Sequence, residues 1–173
     1  FNFSDKKVNY EQLLGEGTSG KVFPYQKTLN DPKDMDWVVK IIHVHNQKEL
    51  FENFEEIVLG FSCDHQNILP VKGYHIEPLK GGEYKVYLKL PRMKESLKTR
   101  FEREIQHKAL TERQVLEYFH SIACGLSYLH ERKIAHRDMK LDNILIGRNE
   151  NILVADFGVA RFVAIDDSLK TEQ

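Results

Sequence analysis

His136-Arg137-Asp138-Met139-Lys140-Leu141-Asp142-Asn143, followed one short hairpin later by Asp156-Phe157-Gly158, holds the densest chemistry in the chain. Phosphoryl transfer asks little covalent help of a protein; it asks for position and compensating charge. An aspartate must accept or orient a hydroxyl proton. A nearby lysine must steady the migrating group. An amide and a second carboxylate must hold Mg²⁺, a hard ion that takes oxygen ligands. Asp138, Lys140, Asn143 and Asp156 supply those four parts. Each alone is an ordinary polar loop residue; the ordered set is not.

Upstream, Gly15-Glu16-Gly17-Thr18-Ser19-Gly20-Lys21-Val22 is glycine-rich. Without a Cβ, glycine lets backbone amides approach phosphate oxygens. The Walker pattern fails at its last position, where Val22 has no hydroxyl for Mg²⁺. The dinucleotide fingerprint needs a helix after the glycines, whereas Val22-Phe23-Pro24-Tyr25 reads as a strand. A glycine hairpin between two strands, G-x-G-x-x-G-x-V, fits best; a plain tight turn is the competing reading. Lys40 follows inside Trp37-Val38-Val39-Lys40-Ile41-Ile42, where alternation puts it on the face of Val38. A lysine buried there needs a carboxylate, and Glu55 and Glu56 lie on the next helix.

With these residues in place the sequence resembles the eukaryotic protein kinases, with counterparts of the glycine loop, the V-A-I-K lysine, H-R-D-x-K-x-x-N and D-F-G in order. The resemblance implies an α+β, bilobal fold. Residues 1–90 would form an antiparallel β small lobe with one helix, 91–96 a hinge, and 97–173 the first part of a mainly helical large lobe. It also implies binding of ATP and Mg²⁺ and transfer of the γ-phosphoryl group to Ser or Thr of a protein substrate. Carried over by position, Gly15, Glu16, Gly17, Thr18, Ser19, Gly20 and Val22 would cover the nucleotide, and Lys40 would touch its phosphates. Val22, Val38 and Leu145 would line the adenine pocket, with Leu90 as gatekeeper and Pro91 to Met93 as hinge. Asp138 would be the base, and Asn143 and Asp156 would bind Mg²⁺. Lys140 is similar to the lysine typical of serine/threonine kinases. Arg137 would answer phosphorylation by an upstream kinase at Ser168 or Thr171.

Composition agrees with a globular domain. The 173 residues carry 25 Lys+Arg against 26 Asp+Glu, too even a balance for a nucleic-acid-binding face. No apolar run reaches the roughly 20 residues needed to span a bilayer. Cys63 and Cys124 make no disulfide framework and read as small buried hydrophobes. With no signal peptide at the start, the expected compartment is intracellular and cytoplasmic.

Strands are expected at 22–25, 37–42, 68–71, 84–90, 144–146 and 152–155, with turns at Asn30-Asp31-Pro32, Gly81-Gly82 and 147–150. The spacing of Leu50, Phe51, Phe54, Ile57, Val58 and Phe61 predicts a helix over 47–62. Thr111-Glu112-Arg113-Gln114 fits a capping box for a second helix to Glu131, striped by Val115, Tyr118, Phe119, Ile122, Leu126 and Leu129. The tail from Phe162 reads as loop.

The chain also departs from the pattern. Counting back from His65-Gln66-Asn67-Ile68 selects Glu56 as the Lys40 partner but puts Gly60 at a position the family fills with a bulky residue. Choosing Glu55 puts Leu59 there instead, so both stay open. Val38 stands for the usual Ala. The sequence starts at Phe1 and stops at Gln173 before any A-P-E, which reads as a piece of a longer kinase. A nucleotide-binding regulatory module without turnover, and a small-molecule kinase, are the alternatives. His43-x-His45 could hold a metal on one strand face, but no third ligand is evident from sequence. His130-Glu131 opens like a zinc motif that Ile134 ends.

Overall fold

The computed structural model describes residues 3–17, 20–26, 36–107, 110–156 and 160–162. Five strands, β1 (Gly15–Gly17), β2 (Gly20–Tyr25), β3 (Trp37–Val44), β4 (Gly73–Pro78) and β5 (Tyr84–Pro91), form one antiparallel sheet in the order β1-β2-β3-β5-β4. Because side chains alternate across a strand, β3 splits its residues between two cores. Ile42 and Val44 join Val86, Leu88 and Ile57 beneath helix α1 (Gln47–Ser62). Val39 joins Phe23, Tyr25 and Tyr87 on the other face. Asn46 caps α1 by accepting a hydrogen bond from the Glu49 amide at 2.9 Å.

The remaining elements are β6 (Glu95–Ser96), α2 (Leu97–His107), α3 (Glu112–Glu131), β7 (Ile134–Ala135), β8 (Ile144–Ile146), β9 (Ile152–Val154) and β10 (Arg161–Phe162). Strands pair as β6-β8-β9 and β10-β7. The Thr111–Gln114 capping box forms in full. The core gathers Leu59, Ile68, Leu97, Leu129, Ile144, Ile146 and Val154. Each fully buried Leu or Ile of this kind contributes roughly 1.5–3 kcal/mol.

Several expectations need correction. Residues 68–71 are not a strand of the sheet; Ile68 makes one parallel bridge to Val154, and the sheet strand is β4. Ile68 and Leu69 are apolar because they seat against β9. On α1, Ile57 is buried whereas Phe51, Phe54, Val58 and Phe61 are exposed. On α3, Tyr118 and Leu129 are buried but Val115 and Phe119 are exposed. Cys63 is buried, and burial pushes its thiol up; Cys124 is only half-buried. The Gly81-Gly82 turn forms with both glycines at positive φ. The Asn30-Asp31-Pro32 turn and the tail after Phe162 lie outside the described residues. Among the described residues no helix is long and apolar enough to cross a membrane.

Candidate active site

The site grows from the β8–β9 hairpin. Its register pairs Ile144 with Val154, so Asn143 and Asp156 are brought to the same end. The Ala155 amide donates to the Asn143 carbonyl at 2.8 Å and closes that end. At the far end, Glu150 in the turn accepts from Arg100 of α2 at 2.8 Å. Buried Arg100 also donates to Glu95 at 2.7 Å and to the Tyr118 hydroxyl at 3.1 Å. Burial pushes the Glu95 carboxyl up, but hydrogen bonds from Arg103 and Arg100 outweigh it and hold it below the usual carboxylate range. Sequence reading missed this cluster, since nothing in the spacing of Glu95, Arg100 and Glu150 announces burial.

Upstream of the hairpin, His136 is buried with Nε2 2.9 Å from the Ala155 carbonyl. A carbonyl only accepts, so that nitrogen carries the proton. Nδ1 then accepts from the Asp138 amide at 3.3 Å. The chain passes through Arg137 at φ 64° and leaves β9 through Asp156 at φ 66°. Left-handed backbone costs a non-glycine residue about 1–2 kcal/mol. The first position precedes Asp138 and the second carries the Asp156 carboxylate itself.

Asn143 is buried and donates its Nδ2 to the Asp138 carbonyl and to Asp138 Oδ2, each at 2.9 Å. Its amide oxygen Oδ1 is therefore the atom with acceptor capacity for a hard cation. Lys140 Nζ donates to Asp138 Oδ2 at 2.8 Å. That bond, aided by Asn143 and opposed by partial desolvation, holds the Asp138 carboxyl below its ordinary range. The same bond raises Lys140, and the charges of Asp156 and Asp142 add to it.

Lys40 completes the group from the sheet side. Register places it between Val22 and Leu88, with Val38 opposite Leu90 on the same face. Lys40 is buried, and its Nζ lies 3.0 Å from Asp156 Oδ1. Leu90, Met93 and Leu145 pack together against Leu69, Leu153 and Ala155. Pro91 closes β5 opposite Trp37. Gly15, Glu16 and Gly17 pair with Val22, Lys21 and Gly20 in a hairpin. Gly20 sits at φ 127°, where a Cβ would come within 2.5 Å of the Ile41 carbonyl oxygen. Asn67 ties the β9 strand to the segment before β4: its Nδ2 donates to the Ile152 carbonyl at 2.9 Å, and its carbonyl accepts from Val154 at 2.8 Å. This anchoring role of the asparagine in His65-Gln66-Asn67-Ile68 was not foreseen from sequence.

Thr18, Ser19, Phe157, Gly158, Ser168 and Thr171 lie outside the described residues, as do the side chains of Glu55 and Glu56. The choice of glutamate for Lys40 therefore lies there too. Leu59 is fully buried in the core under the hairpin, and a Cβ on Gly60 would overlap Val71.

The family model described as protein kinase domain matches residues 8–173, and the chain belongs to that family. It is 33% identical over 150 residues to CTD kinase subunit alpha of Saccharomyces cerevisiae, covering 86% of this chain and 27% of that protein. It is 34% identical over 163 residues to serine/threonine-protein kinase bur1 of Emericella nidulans, covering 91% and 29%. It is 32% identical over 154 residues to serine/threonine-protein kinase Nek4 of Mus musculus, covering 88% and 19%. The chain thus spans less than a third of the length of these curated relatives.

Proposed function

We propose that this chain carries the nucleotide-binding and catalytic groups of a serine/threonine protein kinase that uses ATP and Mg²⁺. The observation that carries the reading is the meeting of Lys40 and Asp156 at 3.0 Å across 116 residues of sequence, beside an Asp138 already held by Asn143 and Lys140. The Asn143 amide oxygen and the Asp156 carboxylate would hold the metal, a donor set of hard oxygens that suits Mg²⁺. The chemistry supplied there would be compensation of phosphate negative charge. Lys40 would exchange part of its contact with Asp156 for phosphate oxygens. The apolar group of Leu90, Met93 and Leu145, with Val38 paired opposite Leu90 and Val22 opposite Lys40 in the sheet, supports an adenine-binding role.

In the transfer itself the acceptor hydroxyl oxygen bonds to the γ-phosphorus while the bond to the β–γ bridging oxygen breaks. The Asp138 carboxylate would take the hydroxyl proton on Oδ1, because Oδ2 already accepts from Lys140 and Asn143; its ionised form is favoured by Lys140, which also neutralises charge on the moving group. Names of relatives that include serine/threonine kinases, and Lys140 itself, support Ser or Thr of a protein as acceptor. Ser168 and Thr171 would be sites for an upstream kinase, read by Arg137. The test is peptide phosphorylation by the wild type and by Asp138→Asn. The variant is expected to lose transfer by about 10²–10⁴-fold; wild-type turnover in it would refute the assignment.

A further inference from the structure

On the sheet face away from Lys40, three metal-ligating side chains meet. His43 lies in β3 and His45 just past its end, two residues apart and so on one face. The β3–β5 register sets His43 against Lys85 and Val44 against Tyr84, which brings Glu83 opposite His45. Glu83 is thus a third side chain of metal-ligating type, which the sequence alone did not reveal. Glu83 Oε2 lies 3.3 Å from His43 Nε2 and Oε1 lies 3.6 Å from His45 Nδ1. The imidazole centroids are 4.9 Å apart, and one ligand atom from each residue falls within 4.8 Å of the others.

We propose that His43, His45 and Glu83 form a binding site for a divalent transition-metal ion of the Zn²⁺ type. An ion about 2.0–2.2 Å from each nitrogen and oxygen in a tetrahedron requires ligand atoms about 3.4 Å apart. Each histidine nitrogen lies near that spacing from one of the two Glu83 oxygens, and the three ligand atoms lie within 4.8 Å of one another, so side-chain rotation would have to draw them onto one ion. Two imidazoles and one carboxylate, with a fourth position open to water, suit Zn²⁺ and Cu²⁺ rather than Mg²⁺. The backbone under the ligands is fixed. The His45 amide donates to Glu49 Oε2 at 2.8 Å, and the Leu79 amide donates to the Glu83 carbonyl at 2.8 Å. Glu77 faces Lys85 across β4 and β5, so an acidic residue accompanies the lysine set opposite His43. All three ligands are solvent-accessible. Because Asn46 caps α1 next to His45, a bound ion would clamp the β3–α1 junction.

The site is independent of the nucleotide reading, and so is its test. Titrating ZnCl₂ alone into the 173-residue chain, followed by calorimetry, is expected to show one ion bound per chain. His43→Ala with His45→Ala, and separately Glu83→Gln, should weaken that binding by at least about 10–100-fold, while Glu77→Gln should leave it unchanged. Zinc binding of equal strength in the ligand variants, or none in the wild type, would overturn the proposal. A second measurement needs no substitution: Cu²⁺ bound to the wild type should show magnetic coupling to two imidazole nitrogens. Coupling to none or to one would overturn it equally.

Discussion

Two lysine–aspartate pairs stand at the centre of this molecule, and they are built differently. Lys140 and Asp138 are neighbours in sequence and both substantially exposed, at 47% and 37%. Lys40 and Asp156 are 116 residues apart, with the lysine at 8% and the aspartate at 24% exposure. The first pair is local and water-screened, so it tunes charge without holding the fold. The second takes a cation out of water and joins the five-stranded sheet to the β8–β9 hairpin, so losing one partner removes a desolvated charge contact between them. The difference teaches that the site has an electrostatic half, made by a loop, and a structural half, made by two packed bodies meeting.

The largest expected effect falls on the local pair, because its aspartate is the proposed base: Asp138→Asn should cut transfer by about 10²–10⁴-fold yet keep nucleotide binding. Lys40→Met should come next, lowering transfer by about 10²–10³-fold and weakening nucleotide binding with it. An unchanged nucleotide affinity in that variant would dissolve the contrast between the two pairs.

Arg100→Ala tests what supports the hairpin from behind. It leaves the buried Glu95 with one arginine fewer and Glu150 with Lys94 in place of two cations, so unfolding should become easier by about 3 kcal/mol in denaturant titration. Gly125→Ala sets a Cβ 2.9 Å from the Asn67 carbonyl oxygen, the acceptor that holds Val154. A cost of about 1–3 kcal/mol is expected; a neutral result would mean that the Asn67 anchor has slack.

The smallest effect sharpens the local pair. Lys140 holds the Asp138 carboxyl below its ordinary range, so the carboxylate persists to lower pH than a free aspartate. Its titration midpoint, read by carboxyl-carbon NMR, should lie below the ordinary value of about 3.9 and rise in Lys140→Ala. The sign for stability is the usual one for a depressed carboxylate. The contribution is present above the unfolded pKa and lost as pH falls through the folded one. A midpoint that does not rise in Lys140→Ala would contradict the assigned cause.

Much of this was readable from residues alone, for a physical reason. Asp138, Lys140, Asn143 and Asp156 belong to chemistry that tolerates few residue types at few spacings, and the structure brings them together. Helices α1 and α3 were legible because apolar spacing and a capping box are local signals. Strand β4 was not: Gly73-Tyr74-His75-Ile76-Glu77-Pro78 mixes polar and apolar residues, and its pairing with β5 comes from tertiary context. Helix α2 hid because Leu97 and Phe101 are few apolar residues among many charges. Periodicity finds a helical face but not what covers it, which is why Phe51 and Phe119 are exposed. Burial of Arg100 depends on Glu95 and Glu150 arriving from other elements, and Glu83 joins His43 and His45 only through strand register.

The proposed convergence of Lys40 and Asp156 on one metal-bound nucleotide is tested most directly by calorimetric titration of ATP with Mg²⁺ into the wild type, Asp138→Asn and Asp156→Asn. Binding at one site per chain should appear in the wild type, persist in Asp138→Asn and fall sharply in Asp156→Asn. Absence of heat in the folded wild type, or equal affinity in Asp156→Asn, would contradict it.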